Sequence, residues 1–306
     1  MAASTREAIA ATIQRYTQVT DIVNRRDTDS PHEDLATIIQ RYGRVAEAVN
    51  RREMERFTEE VRQMWASNPP EEEDWDPRGE GYTDEGAFTL CVYKLAFLGS
   101  PERQGQLCEA EEKDQVLLHL PVNALAEQIC APLTHPAPQG ELEEKLSSLK
   151  AQLQDQLNQS VASNTRSIQL PKDFKDVMLM TNGICGAGVP AETAYTVLVY
   201  PLNEHYARPN SLRYILRRAE SEGFTPLAGW EIGSCQQHRQ IYYVFCHKKG
   251  DTSPDNASWR IFDKVDVVCD EYENLADFLQ HETAYVEDNP GGAQQEGNVV
   301  QLCYPF

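Results

Sequence analysis

The chain has 306 residues, 41% hydrophobic and 25% charged, with a net charge of −20 and a pI of about 4.7. That charge argues against a polyanionic partner, because nucleic-acid binding depends on Lys and Arg neutralising phosphates; no apolar run approaches the roughly 20 residues that span a bilayer. Arg6, Glu7 and Arg15 fall where a secretory signal needs its apolar core, so the expectation is a soluble cytoplasmic protein with no membrane or nucleic-acid partner.

Residues 1–67 carry an internal repeat. The segment "TIQRYTQVTDIVNRRD" (12–27) returns as "IIQRYGRVAEAVNRRE" (38–53), an offset of 26 residues. Ile13 matches Ile39, Tyr16 matches Tyr42, Val19 matches Val45 and Val23 matches Val49. Steps of three and four place each set on one helical face. The repeat predicts a helical hairpin whose second arm runs to about Trp65. Ser30-Pro31-His32-Glu33 offers an N-cap, a first-turn proline and a capping-box Glu. Neither arm buries its stripe alone, which leaves three coverings: the other arm, the rest of the chain, or a second copy in an oligomer. The polar faces hold ten Arg and no Lys. Arg forks suit carboxylates, on a docking partner or, more simply, within the same helix.

Residues 68–86, "NPPEEEDWDPRGEGYTDEG", hold eight acidic residues, one Arg, three prolines and three glycines. Such a composition predicts a linker without a core. Trp75, set among Glu72, Glu73 and Asp74, makes it a candidate recognition segment for a basic protein partner. Residues 87–164 read as mainly helical. "GAFTLCVYKLAFLG" is a buried helix or strand, "LPVNALAEQICAPL" is a short helix stopped by Pro132, and "HPAPQG" is a break. In residues 141–161, Leu142, Leu146, Leu149, Leu153 and Leu157 recur at steps of four, three, four and four. That is an amphipathic connector or packing helix.

From residue 165 to 286 the period changes. A helix is expected to open with Pro171 in its first turn and to end at Thr181-Asn182-Gly183, with Phe174, Val177, Met178 and Thr181 as its stripe. Strand-like runs follow at 194–202, 229–235, 240–248 and 258–270, with helices over 210–223 and 274–287. The pattern predicts an α+β fold: a helical N-terminal half and a C-terminal domain with a largely antiparallel sheet flanked by helices. A tail covers 287–306. Residues 165–286 hold 12 basic and 16 acidic residues, and residues 1–164 carry a net −13. The extra acidity therefore belongs to the helical half.

Enzyme motifs do not emerge. The glycines 183, 186 and 188 follow a helix C-terminus, whereas a phosphate loop leads into an N-terminus. The eight cysteines show no C-x-x-C spacing and the seven histidines no H-E-x-x-H. Cys246 and His247 are adjacent in a strand, so they point to opposite faces. Cys185, in the glycine loop, is the thiol expected to reach solvent. The sequence accordingly predicts no catalytic residue, no cofactor and no metal.

Leu170-Pro171-x-Asp173-Phe174 followed by Thr181-Asn182-Gly183 resembles the opening of the SUKH superfamily, which includes the fungal Smi/Knr cell-wall-synthesis regulators. Gly229-Trp230-Glu231-Ile232-Gly233, Ile241-Tyr242-Tyr243-Val244, Trp259-Arg260-Ile261-Phe262-Asp263 and Tyr272-Glu273-Asn274-Leu275-Ala276-Asp277-Phe278-Leu279 resemble its later motifs, in order. The departures are Ile-Cys-Gly-Ala-Gly after the Asn-Gly, a long segment before 229, and a helical half without counterpart. The resemblance implies protein binding rather than catalysis, either as a regulatory scaffold or as an immunity protein that blocks a toxin, often a nuclease. The expected contacts are the acidic segment around Trp75 and the sheet region of Trp230 and Glu231, with Asn182 and Gly183 at the preceding turn; an aromatic flanked by polar groups suits an interface anchor, although Trp230 itself is expected in the core ahead of a contact role.

Overall fold

The computed structural model describes residues 33–67, 130–160, 167–188, 197–202, 205, 219, 222–235, 239–251, 256–265 and 268–288. The first arm of the repeat, the acidic segment with Glu72, Glu73, Asp74 and Trp75, the apolar run after Gly86, most of the expected helix over 210–223 and nearly all of the tail lie outside them.

Helix α1, Leu35–Ser67, is the second arm. Its cap is Asp34, not the expected Ser30: the Asp34 carboxylate accepts the Thr37 N–H at 2.9 Å. An aspartate next to the first turn satisfies an orphan donor and complements the helix dipole. That backbone bond also holds its carboxyl below the usual range. Ile38, Ile39, Tyr42, Ala46, Val49, Met54 and Phe57 are all buried. Of the predicted stripe, Ile39, Tyr42 and Val49 are thus covered within one chain, while Val45 is half-buried. Its arginines meet carboxylates of the same helix: Arg51 with Glu47 at 2.7 Å, and Arg56 with Glu53 and Glu60 at 2.7 and 2.6 Å.

The chain divides into two compact units. One draws on Met1–Tyr42, Leu133–Cys185 and Thr196–Tyr285, the other on Gly43–Pro132, Gly186–Tyr195 and Val286–Phe306. In the second unit, Asn50 closes both ends of its amide. Its Nδ2 donates to the Cys130 carbonyl at 3.0 Å and its Oδ1 accepts the Gly188 N–H at 2.7 Å. A buried polar side chain is stable only when paired in this way.

The first unit is α+β, with six strands in one antiparallel sheet. Helix α2, Gln139–Ser160, buries Leu142, Leu149, Leu153 and Leu157. The sequence grouped it with the helical half, but it packs on strand β3, Phe224–Cys235. Where the register of β3 shifts between Pro226 and Ala228, α2 supplies the missing partners. Gln156 Oε1 accepts the Gly229 N–H at 2.9 Å, and the Ser160 hydroxyl donates to the Leu227 carbonyl at 2.8 Å. Helix α3, Lys172–Met180, follows Pro171 and ends on Thr181, which is extended rather than helical. Gly183 then takes φ +135°, where a side chain would be strained.

The expected glycine loop contains strand β1, Ile184–Cys185, paired with β2, Val197–Val199. Cys185 is therefore buried, contrary to its expected exposure. Pairing with a neighbouring strand overrides the loop-like composition. Strands β4, Arg239–Lys248, β5, Ser258–Val265, and β6, Val268–Tyr272, complete the sheet in sequential order β1 to β6. The single run expected over 258–270 is in fact the β5–β6 hairpin, in register from Ile261↔Tyr272 to Val265↔Val268. No Gly, Pro or Asn marks its turn, so composition alone did not divide it. Helix α4, Leu275–Asp288, starts on Asn274, whose Oδ1 accepts the Asp277 N–H at 2.9 Å.

The six successive residues Ile241 to Cys246 of β4 are all buried, so the middle of this strand is covered on both faces. Close approach is strictest at Gly233. A Cβ there would overlap the carbonyl oxygens of Val197 and Leu198. Gly233→Ala is expected to cost about 2 kcal/mol through displacement of β2. A urea titration checks this; an unchanged midpoint would contradict the packing.

Candidate functional site

The sheet region expected to hold partner contacts is built around Trp230. On one face of the sheet its indole stacks on Tyr243 of β4 at 5.2 Å and 16°. Phe174 of α3 meets it edge-on at 5.2 Å, and Trp259 of β5 at 5.4 Å. Trp259 in turn donates its Nε1–H to the Gln169 carbonyl at 2.8 Å. Trp230 is 0% exposed. It belongs to the core, the reading of this residue that was expected ahead of a contact role. The physical reason is that α3 and β5 roof the face it occupies.

The polar end of Trp230 is satisfied by a histidine. Its Nε1–H donates to Nδ1 of His205 at 3.3 Å. His205 Nε2 lies 2.8 Å from the Tyr200 carbonyl. An indole only donates and a carbonyl only accepts, so the ring is the neutral tautomer with its proton on Nε2. Burial pushes its pKa down to about 4, against a smaller upward pull from the Tyr200 carbonyl.

Among the other expected contacts, Gly183 is buried, while Asn182 and Glu231 are half-buried. Asn182 Oδ1 accepts the Leu202 N–H at 2.8 Å. Glu231 accepts from the Tyr200 hydroxyl at 2.9 Å. Asn182 and Gly183 thus build the turn that seats β2, and Glu231 keeps partial access to water. The described residues bring Trp230, Glu231 and Asn182 into one neighbourhood through Tyr200, Leu202 and His205. Glu72, Glu73, Asp74 and Trp75 lie outside the described residues.

Two carboxylate centres escaped the sequence reading as sites. Asp173, in the first turn of α3, accepts the Tyr243 hydroxyl and the Leu275 N–H on Oδ2, each at 2.6 Å. Its Oδ1 accepts the Phe174 N–H at 2.9 Å. One carboxylate thus joins α3, β4 and α4. Desolvation, and after it the Asp173 charge, raises the Tyr243 phenol well above its ordinary pKa, so the hydroxyl stays a donor.

The second centre is Arg239 at the start of β4. Its Nε reaches both oxygens of Asp263 at 2.9 and 3.1 Å. Its Nη1 reaches Glu282 Oε2 at 3.2 Å, and Nη2 binds Glu282 Oε1. The guanidinium also lies 5.8 Å from the Phe278 ring centroid. Burial raises the Asp263 pKa, against the lowering pull of Arg239. The signal was present in "WRIFDK": alternation puts Trp259, Ile261 and Asp263 on one strand face. A carboxylate in step with Trp and Ile points inward and requires a buried cation.

Among the described residues, the thiols of Cys130, Cys185 and Cys246 are buried in the framework. Burial pushes the Cys246 thiol up to about 12 and also raises Cys130, which suppresses the thiolate that nucleophilic attack requires. Among the described residues, no group of three or more His, Cys, Asp or Glu is placed to hold a metal ion, and no helix is long and apolar enough to cross a membrane. Searches against known protein families, characterised proteins and solved structures found no match to the chain.

Proposed function

We propose that the chain is a non-catalytic protein-binding regulator or scaffold of the SUKH, Smi/Knr-like type. The observation that carries the proposal is the ordered run of motifs from Leu170 to Leu279. The motif residues have framework tasks: Asp173 joins three elements, Trp230 fills the core, and Asn274 caps α4. Binding is therefore assigned to what such a frame displays. The proposed contact surfaces are two: the acidic segment with Glu72, Glu73, Asp74 and Trp75, which is the contact region tested below, and separately the sheet region with half-buried Glu231. Complementary charge speeds encounter with a basic partner and selects against acidic ones.

The net charge of −20 favours one second reading, an immunity-type inhibitor seated on a basic toxin or nuclease. Both are tested by capture from source-cell extract on the immobilised full chain, at low and high salt. The comparison is a variant carrying Glu72→Gln, Glu73→Gln, Asp74→Asn and Trp75→Ala. The expected result is capture of basic proteins at low salt, weakened by high salt and by the variant. A single basic enzyme whose turnover stops on binding selects the inhibitor; several signalling proteins select the scaffold. Equal capture by both chains at both salts overturns the proposed contact region, and no capture at either salt overturns the binding function.

A further inference from the structure

His205 is a buried titratable group that the proposed function does not use. Its surroundings are aromatic and neutral. Phe174 of α3 meets the ring edge-on at 4.9 Å, and the Tyr200 ring lies 6.3 Å away. Trp230 of β3 occupies Nδ1 and the Tyr200 carbonyl occupies Nε2. The carboxylates beside these neighbours are engaged elsewhere: Asp173 with Tyr243 and Leu275, Glu231 with the Tyr200 hydroxyl. Among the described residues, no charged side chain acts on the ring.

We propose that His205 is an acid-sensitive latch on the aromatic core: a second ring proton, on Nδ1, sets donor against donor at Trp230 and releases the strand end that bears Tyr200, Leu202 and His205. That strand end is also held by Tyr200 N–H to the Ile232 carbonyl at 2.7 Å, by Leu202 N–H to Asn182 Oδ1 at 2.8 Å, and by the Tyr200 hydroxyl on Glu231 and Ser234, so the latch acts by weakening one bond of this set. Its departure uncovers Phe174 and the edge of Trp230, turning a neutral-pH core into an apolar surface in acid.

The sign follows from linkage. The folded pKa of about 4 lies below the ordinary 6.5. Between these values the open form binds a proton that the closed form refuses, so opening grows as pH falls. The rise is about tenfold per pH unit and about 300-fold across the window. Asp263 and Asp270, whose pKa values are raised by burial, act in the opposite direction: they add stability as pH falls. Acid weakening confined to this strand end is therefore the signature of His205.

The test uses the full chain. Imidazole ¹⁵N shifts should report the Nε2–H tautomer at neutral pH and a midpoint near 4. Amide exchange of the 197–205 peptide, corrected for intrinsic rate, should accelerate by about tenfold per pH unit below 6.5. His205→Gln, which keeps one donor and one acceptor without a titration, should flatten that slope. A proton on Nδ1 at neutral pH, a midpoint near 6.5, or the same slope in His205→Gln would each overturn the latch. The first two are read on the wild-type chain and stand even if the variant does not fold.

Discussion

Replacing Asp173 with alanine is expected to lower the stability of the sheet unit by about 3 kcal/mol, since hydrogen bonds to a charged group contribute about 1.5–3 kcal/mol each and are not additive. The carboxylate serves three donors on three elements: the Phe174 N–H of α3, the Tyr243 hydroxyl of β4 and the Leu275 N–H at the start of α4. Water does not readily take its place at Phe174, which is 0% exposed. Nor does it at Tyr243, which is 1% exposed, so the phenol would be left buried without an acceptor. The N-terminus of α4 would also lose the anion that its dipole favours. Asp173→Asn keeps one acceptor oxygen and should cost less, about 1–2 kcal/mol. Urea titrations decide between the two, read as a lower midpoint at unchanged slope. A cycle with Tyr243→Phe should show coupling of about 1 kcal/mol or more. A loss below about 1 kcal/mol for the alanine variant would mean that the carboxylate is not the joint the geometry indicates.

Arg239→Met is expected to cost more, about 3–5 kcal/mol at neutral pH, because it leaves buried carboxylates without their cation. Asp263 is 1% exposed and Glu282 8%, and both are bound to the same guanidinium. Arg239→Lys should restore only part of the loss, because an ammonium cannot span two carboxylates as a planar fork does. The pH dependence separates this effect from lost packing. Without the guanidinium, the folded-state pKa of Asp263, already raised by burial, rises further above its unfolded value of about 3.9. Carboxyls whose folded pKa is raised contribute stability that is present in acid and fades as pH rises through that window. The deficit of Arg239→Met should therefore shrink on acidification. A deficit that stays constant with pH would assign it to the lost contact of the guanidinium with the Phe278 ring instead. Replacing Asp263 and Glu282 by Asn and Gln in the same background should recover much of the loss, since neutral amides carry a smaller desolvation cost.

Where local spacing carries the information, the sequence was readable. The leucines of 142–157 anticipated α2, and Leu142, Leu149, Leu153 and Leu157 are its buried residues. Pro171 and the Asn-Gly turn bracketed α3. The Val-, Ile- and Tyr-rich runs anticipated β2, β3 and β4. The errors have a common origin. Cys185 was read as exposed because it stands among glycines, yet Val197 and Val199 pair across from its strand. The 258–270 run was read as one strand because Asp266, with no Gly, Pro or Asn beside it, is the single turn-favouring residue between the paired Val265 and Val268. For Trp230 the sequence left core and contact both open, and the rings that cover it, Phe174 and Trp259, come from elements remote in the chain.

By itself the sequence determined the α+β class, most helix and strand positions, the acidity concentrated in residues 1–164, and the motif run that suggests a binding protein. Each of these depends on neighbours a few residues apart or on totals over a segment. Only the tertiary structure decided that α2 belongs to the sheet unit, that Trp230 is core, and that His205 is held as one neutral tautomer. It alone showed that Arg239 answers Asp263 and Glu282 across 24 and 43 residues of chain. The physical reason is that burial and pairing depend on the element lying opposite, and periodicity shows that a face is covered without naming what covers it.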